Sequence, residues 1–215
     1  TAEASTFTYR TLQSSYAMQI EGRTSQPVSI RGNCFLGAAK DIILLENANA
    51  AITSNVIHGA VGAGIVLGSS SSCSLDHNVI YDCGDSVLVR NGSVAVLDHN
   101  TLYGNSVGIR CRYEPGVPGA GGGNAAIVNT IIWASPQPIV LDAQSVFSAT
   151  YSDIVSGWPG EGNFNLDPKF FSAADYDFRI KLTSPCRDQG KNGTYVGAYP
   201  ASAEKTNAAR WKYYR

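Results

Sequence analysis

The sequence predicts an all-β chain wound as a right-handed parallel β-helix, a solenoid of about six to seven coils with three strands per coil. Three observations predict it. Asparagines recur in one context, at Asn33, Asn55, Asn78, Asn100 and Asn129, with Asp153 as a sixth member, in steps of 22, 23, 22, 29 and 24 residues. Each has an apolar residue three before it and another two after, as in I-R-G-N-C-F, I-T-S-N-V-I, L-D-H-N-V-I, L-D-H-N-T-L and A-I-V-N-T-I. A second apolar column runs in phase: A-M-Q-I at 17–20, D-I-I-L at 41–44, G-I-V-L at 64–67, S-V-L-V at 86–89, G-I-R-C at 108–111 and P-I-V-L at 138–141. A repeat of about 22 residues holds three short strands and three turns and is too short for two ordinary helices. Equivalent strands then stack in parallel, about 4.8 Å per coil.

The elements follow in order. Residues 1–15 read as an N-terminal strand or truncated first coil, because F-T-Y-R-T-L alternates and no amphipathic cap precedes it. Residues 16–156 carry the coils. The first strand of each coil points Ile42/Leu44, Ile65/Leu67, Val87/Val89, Ile109/Cys111 and Ile139/Leu141 inward. The second strand is A-A-I at 50–52, C-S-L at 73–75 and V-A-V-L at 94–97, with Cys73 inward. The Asn turn follows, then a third strand such as V-I-Y at 79–81. Inward Asn amides can hydrogen-bond along the stack, which satisfies groups that are costly to bury alone. Residues 157–200 read as a closing segment. Residues 201–215 read as a peripheral tail, with Lys205, Arg210, Lys212 and Arg215 against Glu204 alone.

Composition removes several functions. The 215 residues carry 16 Lys and Arg against 17 Asp and Glu, so the basic footprint of a nucleic-acid binder is missing. No apolar run approaches the roughly 20 residues of a membrane span. The five cysteines, Cys34, Cys73, Cys83, Cys111 and Cys186, form no C-x-x-C pair, which argues against zinc. They read as small buried thiols, with one or two disulfides left open.

The coils resemble those of the pectate-lyase-like right-handed β-helix superfamily, in its repeat-rich secreted bacterial branch. The end of the chain carries the resemblance further: N-L-D-P-K-F at 165–170, D-Y-D-F-R-I at 175–180, S-P-C-R-D-Q-G at 184–190 and V-G-A-Y-P at 196–200. Such D-P-x-F and S-P-x-x-D-x-G segments resemble those that close the helix in these proteins. The resemblance covers about residues 16–200 and implies an extracellular or cell-surface location. Catalytic members usually have more coils and an N-terminal cap, so the chain is expected to be part of a longer solenoid. Ca²⁺ enters only through this resemblance; the sequence itself implies no cofactor.

Stacking turns sequence columns into surface stripes. The outward column of the first strands is Gln19, Ile43, Val66, Leu88, Arg110 and Val140, apolar enough to need a cover, for which the chain's own tail is favoured over a partner. Two residues on from it run Glu21, Leu45, Gly68, Arg90, Arg112 and Asp142. Arg90 and Arg112 then sit one coil apart and need a negative group between them. That group is either Asp142 or Glu114, or an anionic ligand such as a uronate carboxylate. The one long insertion, R-Y-E-P-G-V-P-G-A-G-G-G-N at 112–124, places Tyr113 and Glu114 beside them; its glycines read as flexibility. The outward third-strand column is His58, Tyr81 and Tyr103, with Trp133 one residue further on, either a sugar-stacking ladder or simple strand cover. Asp76/His77 and Asp98/His99 invite a metal or acid–base reading but are repeat positions, and a structural role is preferred. No metal site is assigned.

The resemblance implies lyases that use Arg or Lys as base, or hydrolases that use an Asp cluster. No compact Asp trio or Lys–Arg pair stands out, and no catalytic residue is assigned. The expected function is a secreted or surface β-helix module with polysaccharide as partner. Two alternatives remain: a polysaccharide lyase or glycoside hydrolase acting on an acidic glycan, and an assembly protein stacking through an exposed coil edge or the apolar stripe.

Overall fold

A computed structural model of the chain describes residues 2–3, 6–9, 16–23, 25–37 and 40–203. Its strands come in threes. The first coil is β1 (Ala2–Glu3), β2 (Thr6–Tyr9) and β3 (Tyr16–Glu21), and the second is β4 (Val28–Arg31), β5 (Cys34–Gly37) and β6 (Asp41–Glu46). Then come β7 (Asn49–Thr53), β8 (Val56–His58) and β9 (Ala63–Gly68), followed by β10 (Ser72–Asp76), β11 (Val79–Tyr81) and β12 (Asp85–Arg90). The fifth coil is β13 (Val94–Asp98), β14 (Thr101–Tyr103) and β15 (Val107–Arg112); the sixth is β16 (Asn124–Val128), β17 (Ile131–Trp133) and β18 (Gln137–Leu141). Two further strands, β19 (Val146–Thr150) and β20 (Asp153–Ile154), begin another turn. Every third strand pairs in parallel, giving sheets of seven, seven and six strands. The predicted all-β solenoid of three strands per coil is therefore the fold.

Three in-register columns fill the interior. Ile30, Ile52, Leu75, Leu97, Ile127 and Ala149 come from the first sheet. Phe35, Ile57, Ile80, Leu102, Ile132 and Ile154 come from the second. Ile43, Ile65, Val87, Ile109 and Ile139 come from the third. All but Ile139 are buried, each worth roughly 1.5–3 kcal/mol for the larger side chains. The five cysteines are buried reduced thiols. Burial pushes the thiol pKa values of Cys34, Cys83 and Cys111 up to about 12. Cys111 lies in register between Val89 and Leu141, as expected.

One coil is shifted from its expected register. Ile43 and Leu45, not Ile42 and Leu44, stand in line with Ile65 and Leu67. Leu44 therefore takes the outer face beside Val66, and Glu46 rather than Leu45 stands beside Gly68. The run Ile42–Leu45 has no alternation, so period 2 cannot choose its register. Polar anchors do. Asp41 Oδ1 accepts the Ala63 N–H at 2.7 Å, and Glu46 is held by Arg90.

The asparagine ladder is present. The backbone N–H of Asn33 donates to Asn55 Oδ1 at 2.9 Å, Asn55 to Asn78 at 3.0 Å, and Asn78 to Asn100 at 2.9 Å. Each side-chain amide also donates back to a carbonyl of the preceding coil: Asn55 to Ile30, Asn78 to Ile52, Asn100 to Leu75. Asn129 is not the next rung. His99 is followed by Asn100, and the register places Val128 opposite Asp98 and Ile131 opposite Thr101, so Thr130 takes the rung. Thr130 Oγ1 accepts the Asn100 N–H at 3.3 Å, and Ser152 Oγ accepts the Thr130 N–H at 3.1 Å. Ser152, not Asp153, is thus the next member. Asn129 fills the preceding position, left-handed with φ 49°, as are Gly32, Ser54, His77 and His99. Asn is among the few non-glycine residues that tolerate this region. The other two turns use the same device: Ser71 Oγ accepts Ala48 N–H, Ser93 Oγ accepts Ser71 N–H, and Asn105 Oδ1 accepts Cys83 N–H.

Residues 157–203 continue and then flank the solenoid. Asn163 Oδ1 accepts the Ser152 N–H, and Phe164 pairs with β20, while Trp158 sits edge-on to Phe147 at 5.1 Å. A short antiparallel pair, β21 (Phe170–Ser172) and β22 (Asp177–Ile180), lays Phe170, Phe178 and Ile180 on the outer face of the second sheet. Ser184 Oγ donates to Pro168 O at 2.6 Å and accepts from Cys186 N–H, which ties the D-P and S-P turns together. The tail expected to cover the apolar stripe, with Lys205, Arg210, Lys212 and Arg215, lies outside the described residues.

Two predictions follow from this packing. Asn78→Ala strips acceptors from the Asn55 backbone and side-chain N–H groups; denaturant unfolding should show a loss of roughly 2–4 kcal/mol. Asp153 is fully buried, with Oδ1 on the Leu166 N–H and Oδ2 on the Cys186 thiol. Burial pushes its pKa up to about 7. The native chain keeps a proton that the unfolded chain releases, so this contribution to stability falls as pH rises from the ordinary carboxylate range to about 7, by about 1.4 kcal/mol per unit at most. Asp153→Asn, permanently neutral, should flatten that slope in midpoints measured from pH 4 to 8.

Candidate functional site

The third sheet carries a cleft on its outer face. Its base is Val66 and Leu88, which pack with Leu44, Ala63 and Tyr16. Parallel pairing places Arg110 next to Leu88 and Arg112 next to Arg90. The cavity of about 370 Å³ is walled by Tyr16, Lys40, Asp41, Asp85, Arg90, Arg110, Arg112 and Glu114.

The negative group between Arg90 and Arg112 is the protein's own. Glu114 Oε2 lies 2.5 Å from Arg90 Nη1 and 3.2 Å from Arg112 Nη2. Arg90 Nη2 also reaches Glu46 Oε1 at 2.9 Å, and Arg110 grips Asp85 through Nε and Nη2 at 2.8 and 3.1 Å. Of the two expected partners, Glu114 is the one used. Asp142 instead accepts the Tyr113 N–H and the Ser145 hydroxyl. Neither Glu46 nor Asp85 is legible in the sequence as an arginine partner. The shifted register of β6 hides Glu46, and Asp85 reads as an acid of the turn that holds Asp82, whereas it is the first residue of β12.

These pairs set the charge states. The bond from Arg90, with its charge and that of Arg112, holds the Glu114 carboxyl below its usual range against some burial. The Asp85 hydrogen bond raises the Arg110 pKa. Burial pulls Arg90 down, but Glu114 and Glu46 outweigh it and the net shift is up. Two donors of these pairs are left over: Arg90 Nε and Arg112 Nε are buried and have no partner among the described residues.

The long insertion is pinned. Fully buried Asn91 donates to Glu114 O and Val117 O, both at 2.8 Å, and accepts the Glu114 N–H at 2.7 Å. A Cβ on Gly119 would stand 2.1 Å from Asn91 O, and one on Gly123 2.1 Å from Val89 O. These glycines permit close approach to the coil; they do not mark a free loop. Tyr113, over a third exposed, is presented at its start.

The aromatic column has a different fate. His58, Tyr81, Tyr103 and Trp133 are all in register, so Trp133 is not displaced by one. The rung before it is Thr130, not Asn129, which brings Trp133 into line. Tyr81 is 1% exposed, stacked on His58 at 4.6 Å and covered by Tyr176 and Phe178 at 4.7 and 5.3 Å. It offers no face to a ligand, and burial lowers the pKa of half-buried His58. Tyr103 packs on Phe170 and Phe178. With Trp133 it borders a second cavity of about 420 Å³ that Lys169 and Lys181 also line.

On the turn between the first two sheets, His77 and His99 stack with ring centroids 5.0 Å apart and planes 4° from parallel. Each Nδ1 pairs with the carboxylate before it, Asp76 at 2.8 Å and Asp98 at 2.7 Å. Tyr195 of the closing segment brings its hydroxyl within 2.8 Å of His77 Nε2.

A three-sheet parallel solenoid with a walled cleft on one face defines a β-helix repeat protein. The right handed beta helix region family model matches residues 2–153, and the chain belongs to that family. No curated protein and no solved structure matches it.

Asn91→Gly keeps the left-handed backbone, φ 52°, but removes all three anchors of the insertion. Limited proteolysis read by mass spectrometry should then show cleavage within residues 112–124 at least about tenfold faster than in the parent chain.

Proposed function

We propose that the chain is a glycan-binding β-helix module, secreted or displayed at a cell surface, that holds polysaccharide in the cleft of the third sheet without cleaving it. The observation that carries this reading is the pair of buried Nε–H groups of Arg90 and Arg112 that have no partner among the described residues. A buried donor without an acceptor is unfavourable; these nitrogens are closed to solvent in the free chain, so an oxygen-rich ligand pairs them only if the guanidinium planes turn toward the cleft. Arg90, Arg110 and Arg112 are balanced by Glu46, Asp85 and Glu114. Paired guanidinium and carboxylate groups offer both donors and acceptors, which suits a hydroxyl-bearing chain. A uronate carboxylate has to displace Glu114 to reach Arg90 and Arg112.

The same pairing argues against catalysis at this site. A general acid must hold a proton near neutral pH, and Glu114 is shifted the other way. A guanidinium base must lose one, and Arg90 and Arg110 are shifted away from that. The resemblance to pectate-lyase-like solenoids favours glycan as the ligand class.

Calorimetric titration against pectate, alginate, chondroitin, hyaluronan and neutral glycans tests the reading, with reducing ends and unsaturated-uronate absorbance followed in parallel. One glycan should bind without product, and Arg112→Ala should weaken it by about tenfold or more, or about 1.4 kcal/mol. An unsaturated product would assign a lyase instead. Binding to none of the glycans, or undiminished binding in Arg112→Ala, would remove the cleft from the account.

A further inference from the structure

The repeated L-D-H-N turn builds something beyond a scaffold. Asp76 pairs in register with Asp98, so the two turns superpose side chain on side chain. The following residues, His77 and His99, are fixed at left-handed φ of 54° and 50°. Their rings stack 5.0 Å apart. One donor atom from each of Asp76, His77 and His99 lies within 4.8 Å of the other two. We infer that Asp76, His77 and His99 form a binding site for a first-row transition-metal dication such as Zn²⁺.

The donor set fits that class. Two imidazoles and a carboxylate are borderline ligands that suit Zn²⁺, Ni²⁺ or Cu²⁺, whereas Ca²⁺ prefers six or more oxygens. The Nδ1 edges of both rings face carboxylates at 2.8 and 2.7 Å. A ligating histidine is normally held through its other ring nitrogen. His77 meets this condition, since its Nε2 is 2.8 Å from the Tyr195 hydroxyl. Tyr195 therefore acts as a positioning residue, not a ligand. An entry path exists, because the Asp76 and Asp98 side chains are 44% and 47% exposed. Both Nδ1 atoms reach one ion at about 2.0–2.1 Å only if the rings tilt out of parallel toward it. As the ion binds Nδ1, the single N–H proton of each neutral ring moves to Nε2, where the Tyr195 hydroxyl oxygen accepts it from His77, while the buried His99 Nε2 has no partner among the described residues.

The site is independent of the glycan cleft, which lies on another sheet. The test uses the whole chain and metal alone. Zn²⁺ titrated calorimetrically should bind one per chain, and Co²⁺ should give a visible absorption band that Zn²⁺ abolishes and Ca²⁺ does not. His77→Asn and His99→Asn keep a residue tolerant of the left-handed turn, and each should weaken Zn²⁺ binding by about tenfold or more. Far-ultraviolet dichroism checks that they fold. Asp76→Asn, on a half-exposed side chain, gives the same loss without touching the turn. Absence of stoichiometric binding up to about 1 mM Zn²⁺, or unchanged affinity in the folded variants, would overturn the site.

Discussion

The structure depends on one recurring bond: a buried backbone N–H at a turn, satisfied by a side-chain oxygen from the next coil. Each turn of a parallel solenoid bends the chain sharply while still inside the stack. The backbone there cannot all join the sheet ladders, and water is excluded. Asn55, Asn78 and Asn100 solve this by accepting from the coil before and donating to its carbonyls. Leaving such a group unpaired costs about 1–3 kcal/mol, so repetition over several coils fixes the register of all three sheets together. A left-handed residue before each rung makes the geometry reachable.

Hydroxyls can do the same work, and this lets the column change chemistry without breaking. Thr130 and Ser152 take over from asparagine, each accepting one N–H and donating to the carbonyl two residues back. Asn163 then resumes the column in the closing segment. The ladder thus passes from the coils into residues that no longer form a full coil, and it places Trp158 against Phe147 and Phe164 against β20. The chain then runs back along the second sheet, where Tyr176 and Phe178 cover Tyr81, and Tyr195 meets His77 at the adjoining turn. One flank becomes an interior layer, while the third sheet keeps its cleft.

The period of about 22 residues made the coils, the three strands and most of the inward columns legible from sequence. Two columns are illegible for one reason, which is that each passes through residues of degenerate meaning. In Asn129-Thr130 two polar residues compete for one rung, and the familiar asparagine belonged to the left-handed position. In Ile42–Leu45 four apolar residues leave alternation undefined, and only Asp41 and Glu46 decide. The undefined register of Ile42–Leu45 conceals Glu46 and with it half of the charge balance around Arg90. Glu114 was legible because it lay beside two stacked arginines. Its anchor, Asn91, was not, because nothing in a sequence marks an asparagine that bonds to a carbonyl 23 residues on. The burial of Tyr81 was equally hidden, since it rests on Tyr176 and Phe178 from outside the repeat.

Native-state hydrogen exchange resolved by residue tests the central claim most directly. If the side-chain ladder fixes the stack, the backbone N–H groups of Asn55, Asn78, Asn100 and Thr130 should exchange only through global unfolding, with the same opening free energy as the central strands. Exchange of these four through local opening, at rates typical of exposed surface turns, would mean that the sheets hold the coils without the ladder.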